Sequence, residues 1–144
     1  LQDPAMIERL YEASQAGVKI DLIVRGICCL IPGRKYSRNI RVTRIVDTFL
    51  EHARVWYFGN GGKPKLFLGS PDWMRRNLYR RIEAVTPILD PDLKRELSDM
   101  LSIQLSDKRK ACFVDDHLRN RWKSARPQKE KIRSQYTFYE YLKG

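Results

Sequence analysis

The chain has 144 residues, of which 42% are hydrophobic and 31% charged, and this excludes a disordered or collagen-like polypeptide. Its 28 Lys and Arg against 17 Asp and Glu give a net charge of +11. A balance this basic predicts affinity for polyanions such as nucleic acid, phospholipid surfaces, nucleotides or polyphosphate.

The first elements predict an α/β fold. Residues 4–16 have the spacing of an amphipathic helix, and Gly17 is a plausible stop. The β-branched run over residues 18–26 alternates at first and then turns apolar, which predicts an interior strand. A helix followed by a glycine and a buried strand is typical of α/β domains.

The middle of the chain predicts a loop, a helix and a hairpin. Residues 28–41 form a basic loop rich in breakers, and residues 43–52 have the pattern of a short helix. Two strand-like runs, 55–58 and 65–68, flank Asn60-Gly61-Gly62, which indicates a β-hairpin.

The last part predicts a helix between strands and then a basic end. We expect helix or irregular structure over 73–81, a strand over 82–88 that stops at Pro87, a helix from Asp90 to about Ser106 and a strand over 111–114. Beyond Arg119 the chain is basic and then aromatic, which predicts a tail or docking helix.

One constellation suits phosphoryl chemistry. His52 and Arg54 precede the hairpin, and Gly69-Ser70-Pro71-Asp72 follows it. An imidazole can act as acid, base or nucleophile, while a guanidinium and loop amides hold phosphate oxygens. Arg25, at the end of the first strand, is a further candidate because ligands gather at strand ends in open α/β sheets.

Simpler interpretations compete with this one. A lone histidine in a basic protein is often a surface residue, and Gly-Ser-x-Asp is a common turn or helix cap. His117 lies beside Asp115 and Asp116, but no spaced third ligand is evident, so we expect no metal site in this chain.

Several segments in series resemble one family. They are 18–30, 39–42, 49–54, 58–62 and 69–78, from Val18-Lys19-Ile20-Asp21-Leu22-Ile23-Val24-Arg25-Gly26 to Gly69-Ser70-Pro71-Asp72-Trp73-Met74-Arg75-Arg76-Asn77-Leu78. In that order, and over residues 5–118, they closely resemble the bacterial polyphosphate kinases, the ATP–polyphosphate phosphotransferases that carry two phospholipase-D-like domains.

The resemblance implies that this chain is the last domain of a longer enzyme, as its start at Leu1 also suggests. The implied fold is α/β and phospholipase-D-like, with a mixed β-sheet flanked by helices. The implied reaction is the reversible transfer of the ATP γ-phosphoryl group to polyphosphate, through a phosphohistidine in the preceding domain. Mg²⁺ is bound mainly by that domain, and this domain alone is expected to be inactive.

The resemblance also assigns residues. His52 matches a family histidine that contacts ATP and is a candidate general acid or base, and Arg25 matches an ATP-contacting arginine. The candidates for phosphate or polyphosphate contact are Arg41, Arg54, Ser70, Asp72, Arg75, Arg76 and Asn77. Wider candidates for polyanion contact are Arg38, Arg44, Arg80 and Arg81.

The domain, partner and location predictions follow. We expect a phospholipase-D-like domain over 1–118 and a basic, aromatic tail over 119–144. The expected partners are ATP or ADP, polyphosphate, the other domains of the enzyme and further copies in a dimer or tetramer, without specific nucleic acid. Three cysteines in a poor disulfide pattern predict reduced thiols in a cytoplasmic protein, and its charge permits peripheral membrane association.

Two alternatives remain at this point. A basic module that binds nucleic acid or another polyanion would fit the charge and the interleaved aromatics, although no RNP, KH or helix-turn-helix pattern is present. A hydrolase of the phospholipase D superfamily would want His-x-Lys, and Arg54 stands where that lysine would be.

Overall fold

The computed structural model describes residues 1–124 and 132–143. Its α-helices are α1 (Pro4–Gln15), α2 (Arg75–Arg80), α3 (Pro91–Ser106) and α4 (Ser134–Lys143). Its strands are β1 (Ile20–Ile23), β2 (Ile40–Ile45), β3 (Arg54–Phe58), β4 (Lys65–Gly69), β5 (Val85–Ile88), β6 (Ala111–Val114) and β7 (Asn120–Trp122). In the part of the chain so described, no helix is long and apolar enough to cross a membrane.

The first sheet has the strand order β1-β2-β6-β7. β1 and β2 run parallel, whereas β2–β6 and β6–β7 are antiparallel pairs, so the sheet is mixed, as predicted. α1 covers it and closes the main core, whose buried members are Ile7, Leu30, Ile40, Val42 and Val114.

Local signals explain α1, which confirms the predicted helix. The side chain of Asp3 accepts a hydrogen bond from the backbone N–H of Met6, and Pro4 occupies the first helical position. Gly17 then ends the turn with φ +91°, a conformation that L side chains rarely adopt.

β1 is an edge strand, and the prediction of an interior strand is wrong. β2 is its one partner in the sheet of the described residues, and Asp21 points to solvent on its exposed face. An apolar run of this length is compatible with either position, because periodicity alone does not say how many neighbours a strand has.

The second sheet, β3-β4-β5, is antiparallel and confirms the predicted hairpin. The turn needs left-handed backbone, with φ of 45° at Asn60, 61° at Gly61 and 87° at Gly62. Pro87 lies inside β5 rather than ending it, which an edge strand tolerates.

The predicted helix over 43–52 is wrong. β2 occupies the first part of that range, and residues 46–53 follow without regular secondary structure. Val42 and Ile45 are buried in the sheet, whereas Phe49 and Leu50 are 59% and 76% exposed. Strand pairing on both sides of β2 therefore overrides a helical spacing of apolar residues.

The C-terminal elements pair with or pack against the elements already described. α3 begins as predicted, where the carboxylate of Asp90 accepts the backbone N–H groups of Asp92 and Leu93. β7 pairs with β6, and α4 packs against α3, where the Tyr141 hydroxyl donates to Asp99 at 2.9 Å. The division at residue 118 stays a prediction, and the basic residues of 125–131 lie outside the described residues.

Candidate functional site

Arg54 joins His52 to Asp72. It is the first residue of β3 and pairs with Gly69 at the end of β4, so the hairpin brings Asp72 beside it. Its Nε donates to Asp72 Oδ1 at 3.1 Å, and its Nη1 lies 3.0 Å from His52 Nδ1 and donates to the His52 carbonyl at 2.8 Å. A guanidinium has no acceptor, so Nδ1 accepts and Nε2 of the neutral ring carries the hydrogen.

The Arg54 guanidinium is held in place between His52 and Asp72 by hydrogen bonds and by charge. The hydrogen bond from Arg54 holds the pKa of Asp72 below its usual value, although partial burial opposes that shift. The Arg54 side chain is 19% exposed and that of Asp72 is 33% exposed, while His52 is exposed. The arrangement therefore leaves the imidazole of His52 exposed to solvent beside the Arg54–Asp72 ion pair.

Arg25 reaches the same place from the first sheet. It follows the carboxyl end of β1, is exposed, and its Nη1 donates to the carbonyl of Glu51 at 2.9 Å. Glu51 directly precedes His52. The structure thus brings together four candidates that lie up to 47 positions apart in the sequence, namely Arg25, His52, Arg54 and Asp72.

Arg44 holds the Arg25 segment in place. Its guanidinium donates to the carbonyls of Val24 at 3.4 Å and Gly26 at 2.9 Å, and to the Asn120 side chain at 3.0 Å. These bonds support the backbone on either side of Arg25, and polyanion contact by Arg44 stays a prediction.

A second polar cluster lies after β4 and is centred on Glu83. Its carboxylate accepts from the Ser70 hydroxyl and, at 2.7 Å, from the Asn77 amide. These two bonds, that of Ser70 first, lower the pKa of Glu83. Ser70 Oγ also accepts the backbone N–H of Ala84 at 3.1 Å, so Ser70 and Asn77 help to fix the loop that carries Asp72.

Sequence reasoning missed Glu83. It lies in a stretch predicted as strand, 13 residues after Ser70 and outside the Gly-Ser-x-Asp motif. No local pattern marks it, because its partners meet it only once β4 and β5 have paired.

The predicted arginines fall into two groups. Arg41 is paired with Asp21 across β1 and β2 at 2.7 Å, and none of the contacts among described residues joins it to His52. By contrast, exposed arginines in and beside α2 form no ion pair within residues 1–124 and 132–143; these are Arg75, Arg76, Arg80 and Arg81. Phosphate contact stays a prediction for both groups.

Asp115 is occupied by its own hairpin. Its carboxylate accepts the backbone N–H groups of His117 and Arg119 and pairs with the guanidinium of Arg121 at 2.9 Å. Within the described ranges, no group of three or more His, Cys, Asp or Glu side chains could hold a metal ion.

Comparison with known proteins identifies the family. Residues 1–135 match the model of polyphosphate kinase C-terminal domain 2. The chain is 47% identical over its whole length to polyphosphate kinase of Escherichia coli K12, of which it covers 21%. It is 57% identical to that of Synechocystis over 112 residues, which are 77% of this chain and 15% of the relative.

The solved structures agree. The crystal structure of polyphosphate kinase from Porphyromonas gingivalis superposes with a TM-score of 0.95 at 58% identity, covering 100% of this chain and 22% of that one. The fold is therefore the phospholipase-D-like one that the resemblance implied, and the chain spans about a fifth of its relatives' length. The chain belongs to the polyphosphate kinase family, as its C-terminal domain 2.

Proposed function

We propose that this domain supplies one half of a phosphotransferase active site that moves the γ-phosphoryl group of ATP to and from polyphosphate. The observation that carries the proposal is the line His52–Arg54–Asp72, with Arg25 held one residue away at Glu51. Family membership supplies the reaction class, and this geometry supplies an acid–base group beside fixed cations.

In this proposal each residue has one task. His52 contacts ATP and exchanges a proton through Nε2, because Nδ1 is engaged by Arg54. Arg25 holds phosphate oxygens of the nucleotide, and Arg54 orients His52 while Asp72 keeps the guanidinium in place. The histidine that becomes phosphorylated lies elsewhere in the enzyme, so the domain alone does not complete the reaction.

The proposal assigns polyphosphate to residues of this domain and Mg²⁺ mainly to another domain. The exposed arginines of α2 are the proposed polyphosphate contacts, since dense positive charge is what a chain of phosphates requires. Mg²⁺ is proposed to bind mainly in the preceding domain, and in this domain Asp72 and Glu83 are engaged by Arg54, Ser70 and Asn77. We therefore assign no step of this domain to the metal.

The other proposed partners follow from the family. They are the remaining domains of the full-length enzyme and further copies of it, in a dimer or tetramer. We place the enzyme in the cytoplasm, with peripheral membrane association permitted by the charge of +11.

The test is polyphosphate synthesis from ATP by the full-length enzyme. We expect His52→Ala to lower kcat by about 10²-fold or more, as loss of a general acid or base does. Arg25→Ala should raise the KM for ATP and lower kcat/KM. The matched controls are His117→Ala and Arg9→Ala, which remove an exposed histidine and an exposed arginine whose ion pairs are with Asp116 and Glu12.

Folded His52→Ala and Arg25→Ala enzymes with turnover like that of the controls would contradict the proposal. That result would leave this domain as a polyanion-binding or assembly module.

A further inference from the structure

The segment that leads to His52 is held by the start of the C-terminal helix. Residues 47–51 have no regular secondary structure, yet four of the five contact residues 133–136. The partners lie more than 80 positions apart in the chain. Of the contacts described above, these bonds join the candidate site to the part of the chain that is furthest away in sequence.

Gln135 holds the backbone of Phe49 and the side chain of Glu51. Its Oε1 accepts the N–H of Phe49 at 2.8 Å, and its Nε2 donates to the carbonyl of Phe49 at 2.7 Å. The same Nε2 donates to Glu51 Oε1 at 3.0 Å. One side-chain amide therefore mimics a strand partner for Phe49 and ties down the residue that precedes His52.

Arg133 anchors the beginning of the segment. It pairs with Asp47 through two bonds, from Nε at 2.8 Å and from Nη2 at 2.6 Å, and the Asp47 side chain is 2% exposed. A bidentate guanidinium–carboxylate pair also sets the relative orientation of the two groups. Arg133 further donates to the hydroxyl of Thr48 at 2.9 Å.

Glu51 connects this support to the nucleotide-contact candidate. Its side chain accepts from Gln135 and from Gln104 of α3, while its carbonyl accepts from Arg25. A displacement of residue 51 would therefore move Arg25 and His52 together.

We infer that Gln135 and Arg133 are positioning residues for the phosphotransfer site, acting through residues 47–51 on His52 and Arg25. The inference rests on the proposed function. It gives α4 a task in catalysis beyond its packing on α3. Positioning errors of about 1 Å at a reacting group can cost about 10²-fold in rate.

The experiment uses the full-length enzyme with Gln135→Ala. We expect kcat for polyphosphate synthesis to fall by about tenfold or more, with the KM for ATP changed by less than about threefold, because orientation affects turnover more than binding. The matched control is Tyr141→Phe, which removes the bond between α4 and α3 that joins Tyr141 to Asp99 rather than to any residue of 47–51. It should retain kcat within about twofold.

A second measurement is independent of catalysis. Hydrogen exchange of the Phe49 amide should accelerate by about tenfold or more in Gln135→Ala and stay at the wild-type rate in Tyr141→Phe. Swapping the partners in Glu51→Gln/Gln135→Glu lets residue 51 donate to residue 135. We expect this double variant to recover part of the kcat that Gln135→Glu loses.

The outcomes separate the two proposals. Unchanged kcat in Gln135→Ala would overturn the positioning role whatever the exchange rate of Phe49, as would an equal loss of kcat in Tyr141→Phe. If His52→Ala retains turnover, the proposed function fails, while faster Phe49 exchange in Gln135→Ala alone would still support control of the segment by α4.

Discussion

Buried acidic side chains hold neighbouring segments of this basic chain together. Asp107 is fully buried, and its two oxygens accept backbone N–H groups from Arg109, Lys110, Ala111 and Ser134. Asp3 caps α1 in the same way, and Asp47 accepts Arg133. Burying a carboxylate is costly unless charge-assisted bonds compensate it, so each of these acids stabilises one arrangement of its neighbours.

The ion pair of Asp47 with Arg133 should make the free energy of unfolding depend on pH in the acidic range. The bonds from Arg133 hold the pKa of Asp47 below its ordinary value of 3.8. A carboxyl whose pKa is lowered by folding contributes stability that is complete above about pH 4 and is lost as pH falls through the folded value. We therefore expect Asp47→Asn to lower the urea midpoint at pH 7, and the difference from wild type to shrink between about pH 4 and pH 2.

The control for Asp47 is Glu12→Gln, which breaks an ion pair with Arg9 whose side chains are 59% and 77% exposed. Exposed pairs contribute little, so its midpoint should stay near that of wild type at every pH. A difference for Asp47→Asn that stays constant down to pH 2 would contradict the assigned role.

At the scale of elements, predictions succeeded where the signal was local. The hairpin has its own turn residues, and α3 has its cap at Asp90, so neither depends on distant partners. β2 was mistaken for a helix because its pairing with β1 and β6 decides its structure. In the site, the residues that lie in motifs, among them His52, Arg54 and Asp72, are predicted. Glu83 and Gln135 lie outside any motif and meet their partners only in the fold.

Gly69 is the position where the second sheet admits no side chain. An added Cβ would lie 2.8 Å from the carbonyl of Ala84 and 2.8 Å from the ring of Trp56. We expect Gly69→Ala to destabilise the chain by about 1–3 kcal/mol, as overpacking does. Because Gly69 pairs with Arg54, turnover of the full-length enzyme should fall as well.

Gly59→Ala is the matched control, since nothing lies within 4 Å of its added Cβ and its φ is −63°. Chemical denaturation should show a midpoint near that of wild type for Gly59→Ala and a lower one for Gly69→Ala. Equal midpoints in the two variants would mean that β3 and β5 adjust without cost.

At the scale of the whole molecule, the described arginines differ in whether they form ion pairs. Arg34, Arg41, Arg54 and Arg133 are each paired with an acid, whereas the arginines in and beside α2 are exposed and form no ion pair among the described residues. The influence of Arg76 on the pKa of Asp72 places its charge near the candidate site. The exposed arginines of α2 thus follow directly on the loop that carries Asp72.

Polyphosphate binding should therefore depend on where charge is removed as well as on how much. Arg75→Glu/Arg76→Glu and the control Arg9→Glu/Lys19→Glu each lower the net charge by four, from +11 to +7. Salt screens exposed charges beyond about 8–10 Å, so the nearby pair should dominate at physiological ionic strength. In the full-length enzyme we expect the α2 pair to weaken polyphosphate binding by about tenfold or more, and the control pair by less than about threefold. Titration at two salt concentrations decides this: equal weakening by both pairs would mean that net charge alone attracts the polyanion and that α2 has no specific part in it.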